Sequence, residues 1–139
     1  MQSIKFDDGY KTYILNDDEN KVIRVNVTDF NILDRYNKAQ TDMQALIEEM
    51  QNDSEATPEK IASYDKRIRE NINFIFGTDV CTAAFGTANC MSVVSSGSML
   101  FESFLNALMP QVQEDMGINL EAAKKRTDKY IMPVVGEEK

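Results

Sequence analysis

Two cysteines occupy the same place in a short repeat, Phe76-Gly77-Thr78-Asp79-Val80-Cys81 followed by Phe85-Gly86-Thr87-Ala88-Asn89-Cys90. Each stands three residues after a threonine suited to capping a helix N-terminus. A helix N-terminus lowers a thiol pKa and so favours the nucleophilic thiolate. A cysteine nucleophile also wants a base, and the chain has no histidine. That absence removes the commonest general base and the commonest metal ligand together. Two thiols without further spaced ligands make a poor zinc site. The favoured reading is two small buried residues, since free cysteine is among the most buried residue types.

Other chemically suggestive groups resolve the same way. Asp17, Asp18 and Glu19 lack the spacing and the glycine of a calcium loop and read as a solvated turn. Glu48 and Glu49 fall on the outward side of a helix and read as surface. The scattered glycines form no phosphate loop. Lys124, Lys125 and Arg126 are the one basic cluster. They suit an acidic partner, a helix C-terminus whose dipole they complement, or the acidic first helix within or between copies. The sequence therefore predicts no catalytic residue, no metal and no cofactor; the expectation is a protein that is not an enzyme.

The elements that must position these groups follow from pattern. Tyr10–Leu15 and Lys21–Val27 read as two strands of a β-hairpin, with Ile23, Val25 and Val27 on one face, joined by residues 16–20. Thr28-Asp29 reads as a helix N-cap. Ile32, Tyr36, Ala39, Met43, Leu46 and Met50 then form a heptad-like seam, widened by Phe30, Leu33 and Ile47. After the loop 52–56, Thr57 caps and Pro58 opens a second helix carrying Ile61, Tyr64, Ile68, Ile72 and Ile75. Two such helices joined by a short loop predict an antiparallel helical hairpin.

The Phe-Gly-Thr repeat reads as punctuation, each glycine ending a helix and each threonine capping the next, around a short helix near 79–85. A longer helix is expected from about Ala88 to Met116, with Gly97 as a point of interruption, a kink at Pro110 and an end at Gly117. A last one is expected over about 120–131, stopped by Pro133. The fold class is mainly α (α+β): an N-terminal hairpin and a bundle of four to five helices. One domain spans 1–139, divided into hairpin (1–27), helical hairpin (28–76), C-terminal helices (77–132) and a loose tail (133–139). That length suffices to bury a real core.

Net charge is −8. It argues against nucleic acid, which needs clustered Lys and Arg, and against an anionic membrane surface. It favours a basic partner. Met1–Asp8 lacks the apolar region of a secretion signal, so a reducing compartment is expected. Residues 80–101 carry no charged side chain, but Asn89 and Ser95-Ser96-Gly97-Ser98 leave the run too polar to span a membrane. The run is either the centre of the fold or a surface for another protein. Met91, Met99, Phe101, Phe104, Leu105, Leu108 and Met109 supply more apolar surface than a core of this size needs. Methionine-rich helix faces suit varied helical partners. These residues, with Lys124, Lys125 and Arg126, are the candidate partner-binding set, and self-association is expected.

Three segments carry a resemblance. They are Val27-Thr28-Asp29-Phe30-Asn31-Ile32-Leu33 entering an acidic helix, Ile75-Phe76-Gly77-Thr78, and the Phe-x-x-Phe-Leu-x-x-Leu stretch from Phe101 to Leu108. Together with the small acidic body and the order of elements, they resemble the tail assembly chaperones encoded beside the tail genes of long-tailed phages and prophages of Firmicutes. The resemblance implies a largely helical, non-enzymatic protein of the host cytoplasm that binds the tape-measure protein, or another tail component, before the tail tube forms. The alternative is a structural virion subunit of tail or connector that self-assembles. Either way the expected partners are proteins.

Overall fold

In the computed structural model the backbone is described for residues 1–135 and the side chains for residues 1–117. An antiparallel hairpin, β1 (Tyr10–Leu15) and β2 (Asp18–Asn26), precedes α1 (Asn31–Gln51), α2 (Pro58–Phe76), α3 (Cys81–Phe85) and α4 (Leu100–Val135). The fold is thus mixed α and β, a hairpin followed by four helices among the described residues.

The hairpin is tighter than its sequence suggests. Asn16 and Asp17 both adopt positive φ, 52° and 57°, the conformation that lets a two-residue turn match strand twist. Asn and Asp accept it more readily than most residues. The strand therefore starts at Asp18, and the ladder absorbs the slack in an irregularity beside Leu15. Alternation does the rest: Ile23, Val25 and Val27 are buried.

The α1 seam behaves as its spacing demands. Ile32, Ala39, Met43 and Leu46 are buried, with Tyr36 and Met50 partly so. Phe30, Leu33 and Ile61 stay exposed, outside the contact with the body. The α1 entry differs from expectation. Phe30 takes the cap position without a side-chain bond, while Asp29 accepts the Asn31 N–H at 3.1 Å and pairs with Arg35 at 2.7 Å. Arg35 also donates to the carbonyl of Ile75 at 2.9 Å, tying α1 to the end of α2. Thr57 caps α2 by accepting the Lys60 N–H at 3.2 Å, with Pro58 in the first turn.

Residues 88–99 are not helical, so the long helix begins at Leu100 rather than Ala88. This stretch is uncharged but rich in Ser, with Gly97 among them, and it makes a tight excursion closed by a Val93–Met99 bridge. It also satisfies the amides that open α4. The Leu100 N–H donates to Ser92 O (2.7 Å), Phe101 N–H to Cys90 O (2.8 Å), and Met99 N–H to the Glu102 carboxylate (2.9 Å). Helix N-termini need such acceptors. Neither Pro110 nor Gly117 ends α4, which continues as one helix to Val135, through the expected stop at Pro133. Pro110 and Gly117 are both exposed, where their cost does not disturb the core. Residues 136–139 of the expected tail lie outside the described residues.

One buried charge docks the hairpin on α4. Asp115 accepts Tyr13 O–H at 2.5 Å and Lys11 Nζ at 3.1 Å, with Gln111 Nε2 at 3.3 Å. Burial pushes its carboxyl up, but the three donors together outweigh that and hold it below the ordinary carboxylate value. Burial and the same carboxylate push the Tyr13 phenol well up. A carboxylate depressed on folding adds stability above its unfolded pKa, near 4, and loses it as pH falls through the folded value. Asp115→Asn should therefore cost roughly 1–3 kcal/mol at neutral pH, and the cost should shrink below about pH 4. Urea titrations of both proteins at pH 7 and 3.5 check this; an equal gap at both would show that the carboxylate charge is not involved.

Candidate functional site

The charge-free segment is held by one polar ladder on α2. Asp65, Arg69 and Asn73 are four residues apart and so share a helix face. Asn73 Oδ1 accepts the N–H groups of Val80 (2.9 Å) and Cys81 (3.2 Å). Asp65 Oδ1 accepts the N–H of Cys90 at 2.8 Å. The two repeats thus present the same amide, that of the cysteine, to equivalent acceptors on one helix. Arg69 lies between them, paired with Asp65 at 3.2 Å and donating to the carbonyls of Gly86 (3.1 Å) and Ala88 (2.6 Å). Its guanidinium also sits 5.4 Å from the centre of the Phe85 ring. Gly77 ends α2 in the left-handed conformation, as the repeat implies.

The threonines do not play the expected role. Asp79, one residue on from Thr78, accepts Thr82 N–H at 3.1 Å and Thr82 O–H at 2.6 Å and so caps α3. Thr78 instead donates to the Arg24 carbonyl at 3.1 Å, joining the segment to β2. No helix follows Thr87 directly. The aspartate competes better for the amide because its charge strengthens the bond.

Both thiols are buried and turn back to α2. Cys81 Sγ lies 3.5 Å from the Arg69 carbonyl and Cys90 Sγ 3.7 Å from that of Asp65. Burial pushes Cys81 up to about 12 against the opposing pull of Arg69. Burial, then the contact with Asp65, pushes Cys90 the same way. At neutral pH both are thereby held as thiols rather than thiolates. Among the described residues no group of three or more His, Cys, Asp or Glu is placed to hold a metal ion.

The segment so fixed forms one wall of an apolar groove. Phe85 meets Phe104 edge to face, ring centres 5.5 Å apart. Around this pair the end of β1, α3 and the first turns of α4 enclose a cleft of about 340 Å³, whose apolar lining includes Ile14, Leu15, Leu100, Phe104, Ala107 and Leu108. The turn residue Asn16 and Gln111 stand at its polar margin. Asp17 and Asp18 follow directly in the chain, which makes that end acidic.

The predicted binding set divides in this structure. Phe101, Leu105, Leu108 and Met109 are buried in the core, Leu108 also reaching the groove wall. Phe104 is half-buried in the groove, and Met91 and Met99 are half-buried in the segment before α4, not on a helix. The side chains of Lys124, Lys125 and Arg126 lie outside the described residues. The accessible apolar surface is therefore narrower than the predicted helix face, and it includes hairpin residues that the sequence reading assigned to strand alone. Asp65, Arg69, Asn73 and Asp115 escaped that reading too. The four-residue spacing of the first three was a usable signal, hidden because polar residues on an amphipathic helix read as solvated.

Comparison with family models, with curated proteins and with solved structures finds no match. No helix among the described residues is long and apolar enough to cross a membrane.

The thiol environments predict slow chemistry. At pH 8 the native protein should react with a thiol-specific disulfide reagent about a thousandfold more slowly than the urea-unfolded chain, because so little thiolate is present. Stopped-flow release of the chromophore measures both. Fast native labelling would mean that at least one cysteine is exposed.

Proposed function

We propose that this protein is a non-enzymatic binding protein of the phage tail assembly chaperone type, holding an apolar helical segment of a tape-measure or other tail protein in the host cytoplasm. The groove between the hairpin, α3 and α4 is the observation that carries this reading. Its walls are apolar, its margins polar, and its position coincides with the Phe101–Leu108 stretch on which the resemblance partly rests. The mechanism is temporary removal of apolar client surface from water, about 25 cal/mol per Å², in a helix-in-groove arrangement. The client leaves when it finds its permanent neighbours.

A second reading, a structural tail or connector subunit, is favoured by a different feature. Among the described residues no strand pairs with the outer edge of β1, and open strand edges promote assembly between copies. Mass spectrometry of purified virions separates the two, since a chaperone is absent from the particle and a subunit abundant.

Co-expression tests the leading reading. Under this reading, a tape-measure protein encoded beside the gene for this chain should be soluble and recovered in complex with the parent chain. Ala107→Glu places a charge at an exposed position of the groove and should reduce recovery at least about tenfold, a 1.4 kcal/mol effect, with the thermal transition unchanged. An insoluble tape-measure protein with no recoverable complex would remove the proposal's support.

A further inference from the structure

Residues 1–9 form no helix or strand, but their junction with the body is firmly held. Gly9 has φ of 80°, and a Cβ there would lie 2.4 Å from the Thr28 hydroxyl, so only glycine fits. Its carbonyl accepts Val27 N–H at 3.2 Å. Asp7 and Asp8 fold over the backbone of Gly9 and Tyr10 (3.0 and 3.1 Å), and Asp8 pairs with Arg24 at 3.3 Å. Beyond this anchored root the arm stands free. Ile4 is 83% exposed and Phe6 79%, and at a spacing of two they share one face of an extended chain.

The complementary surface is on the same molecule. The Val27-to-Gly9 bond sets the phase of the hairpin ladder, so Lys11 and Tyr13 bond toward β2. The N–H and C=O groups of Thr12 and Ile14 then point to the open edge of β1. That edge runs into the apolar groove, where Ile14 is itself 56% exposed. Charge favours the match. Residues 1–6 carry Lys5 and no acidic side chain, while Asp17 and Asp18 follow the groove's turn end in a chain of net charge −8.

We propose that the arm of a second copy adds as a strand along the free edge of β1 and places Ile4 and Phe6 in the groove. Strand addition supplies the main-chain bonds, and alternate side chains fill the cleft. Two copies exchanging arms reciprocally form a closed pair, and in that pair the groove is occupied until a client displaces the arm. The contact involves this chain alone. Its failure leaves client binding to be judged by co-expression, and loss of the client leaves the arm exchange to be judged here.

Phe6→Cys and Ala107→Cys, prepared as separate proteins, are mixed and oxidised. A Phe6→Cys/Ala107→Cys heterodimer well above the level of either homodimer is expected on a non-reducing gel. Ile4→Ser/Phe6→Ser, at positions largely exposed in the single chain, should weaken self-association at least about tenfold by light scattering. Three results overturn the proposal: a wild-type chain monomeric at millimolar concentration, a self-association that the arm substitutions leave unchanged, or a heterodimer of the two cysteine proteins no more abundant than either homodimer.

Discussion

Everything between α2 and α4 depends on finding hydrogen-bond partners for a buried backbone that belongs to neither helix nor sheet. The Asp65–Arg69–Asn73 ladder supplies them. Buried amides left unpaired cost about 1–3 kcal/mol each, and here the cysteine amides of both repeats meet α2 side chains. Arg69 adds the carbonyls of Gly86 and Ala88. Val80, Cys81, Phe85 and Cys90 join the core, but without the ladder their backbone would lose its acceptors and the groove wall its fixed position.

The second constraint is the seating of the hairpin. A two-stranded hairpin is marginal alone in water. Here its inner face joins the core, and Asp115 gathers Tyr13 and Lys11 onto α4. The hairpin thus packs within its own chain, and its open edge becomes the other wall of the groove. Two polar contacts far apart in sequence shape one apolar surface.

How much of this was legible follows from where the determinants lie. Local patterns were readable: the alternation of Ile23, Val25 and Val27, the seam from Ile32 to Met50, the Thr57-Pro58 start and the Gly77 stop. Residues 88–99 are not helical although Thr87 reads as a cap, because their backbone is held by Asp65, on another element. The candidate face suffered the same way. The pattern marks Phe101, Leu105 and Met109 as available, but they are buried, a depth set by how α4 meets the rest of the body, which no local pattern encodes. The groove combines β1 with α4, elements separated by most of the chain, so only their apolar character was visible beforehand.

The central claim is that the cleft bounded by the end of β1, α3 and the first turns of α4 is the working face. Hydrogen–deuterium exchange of the full chain, with and without a co-purified tape-measure client, addresses it directly. The account predicts new protection in peptides covering residues 13–16 and 100–111, with α1 unchanged. Protection confined to α1 and α2, with the groove exchanging as in the free chain, would contradict it.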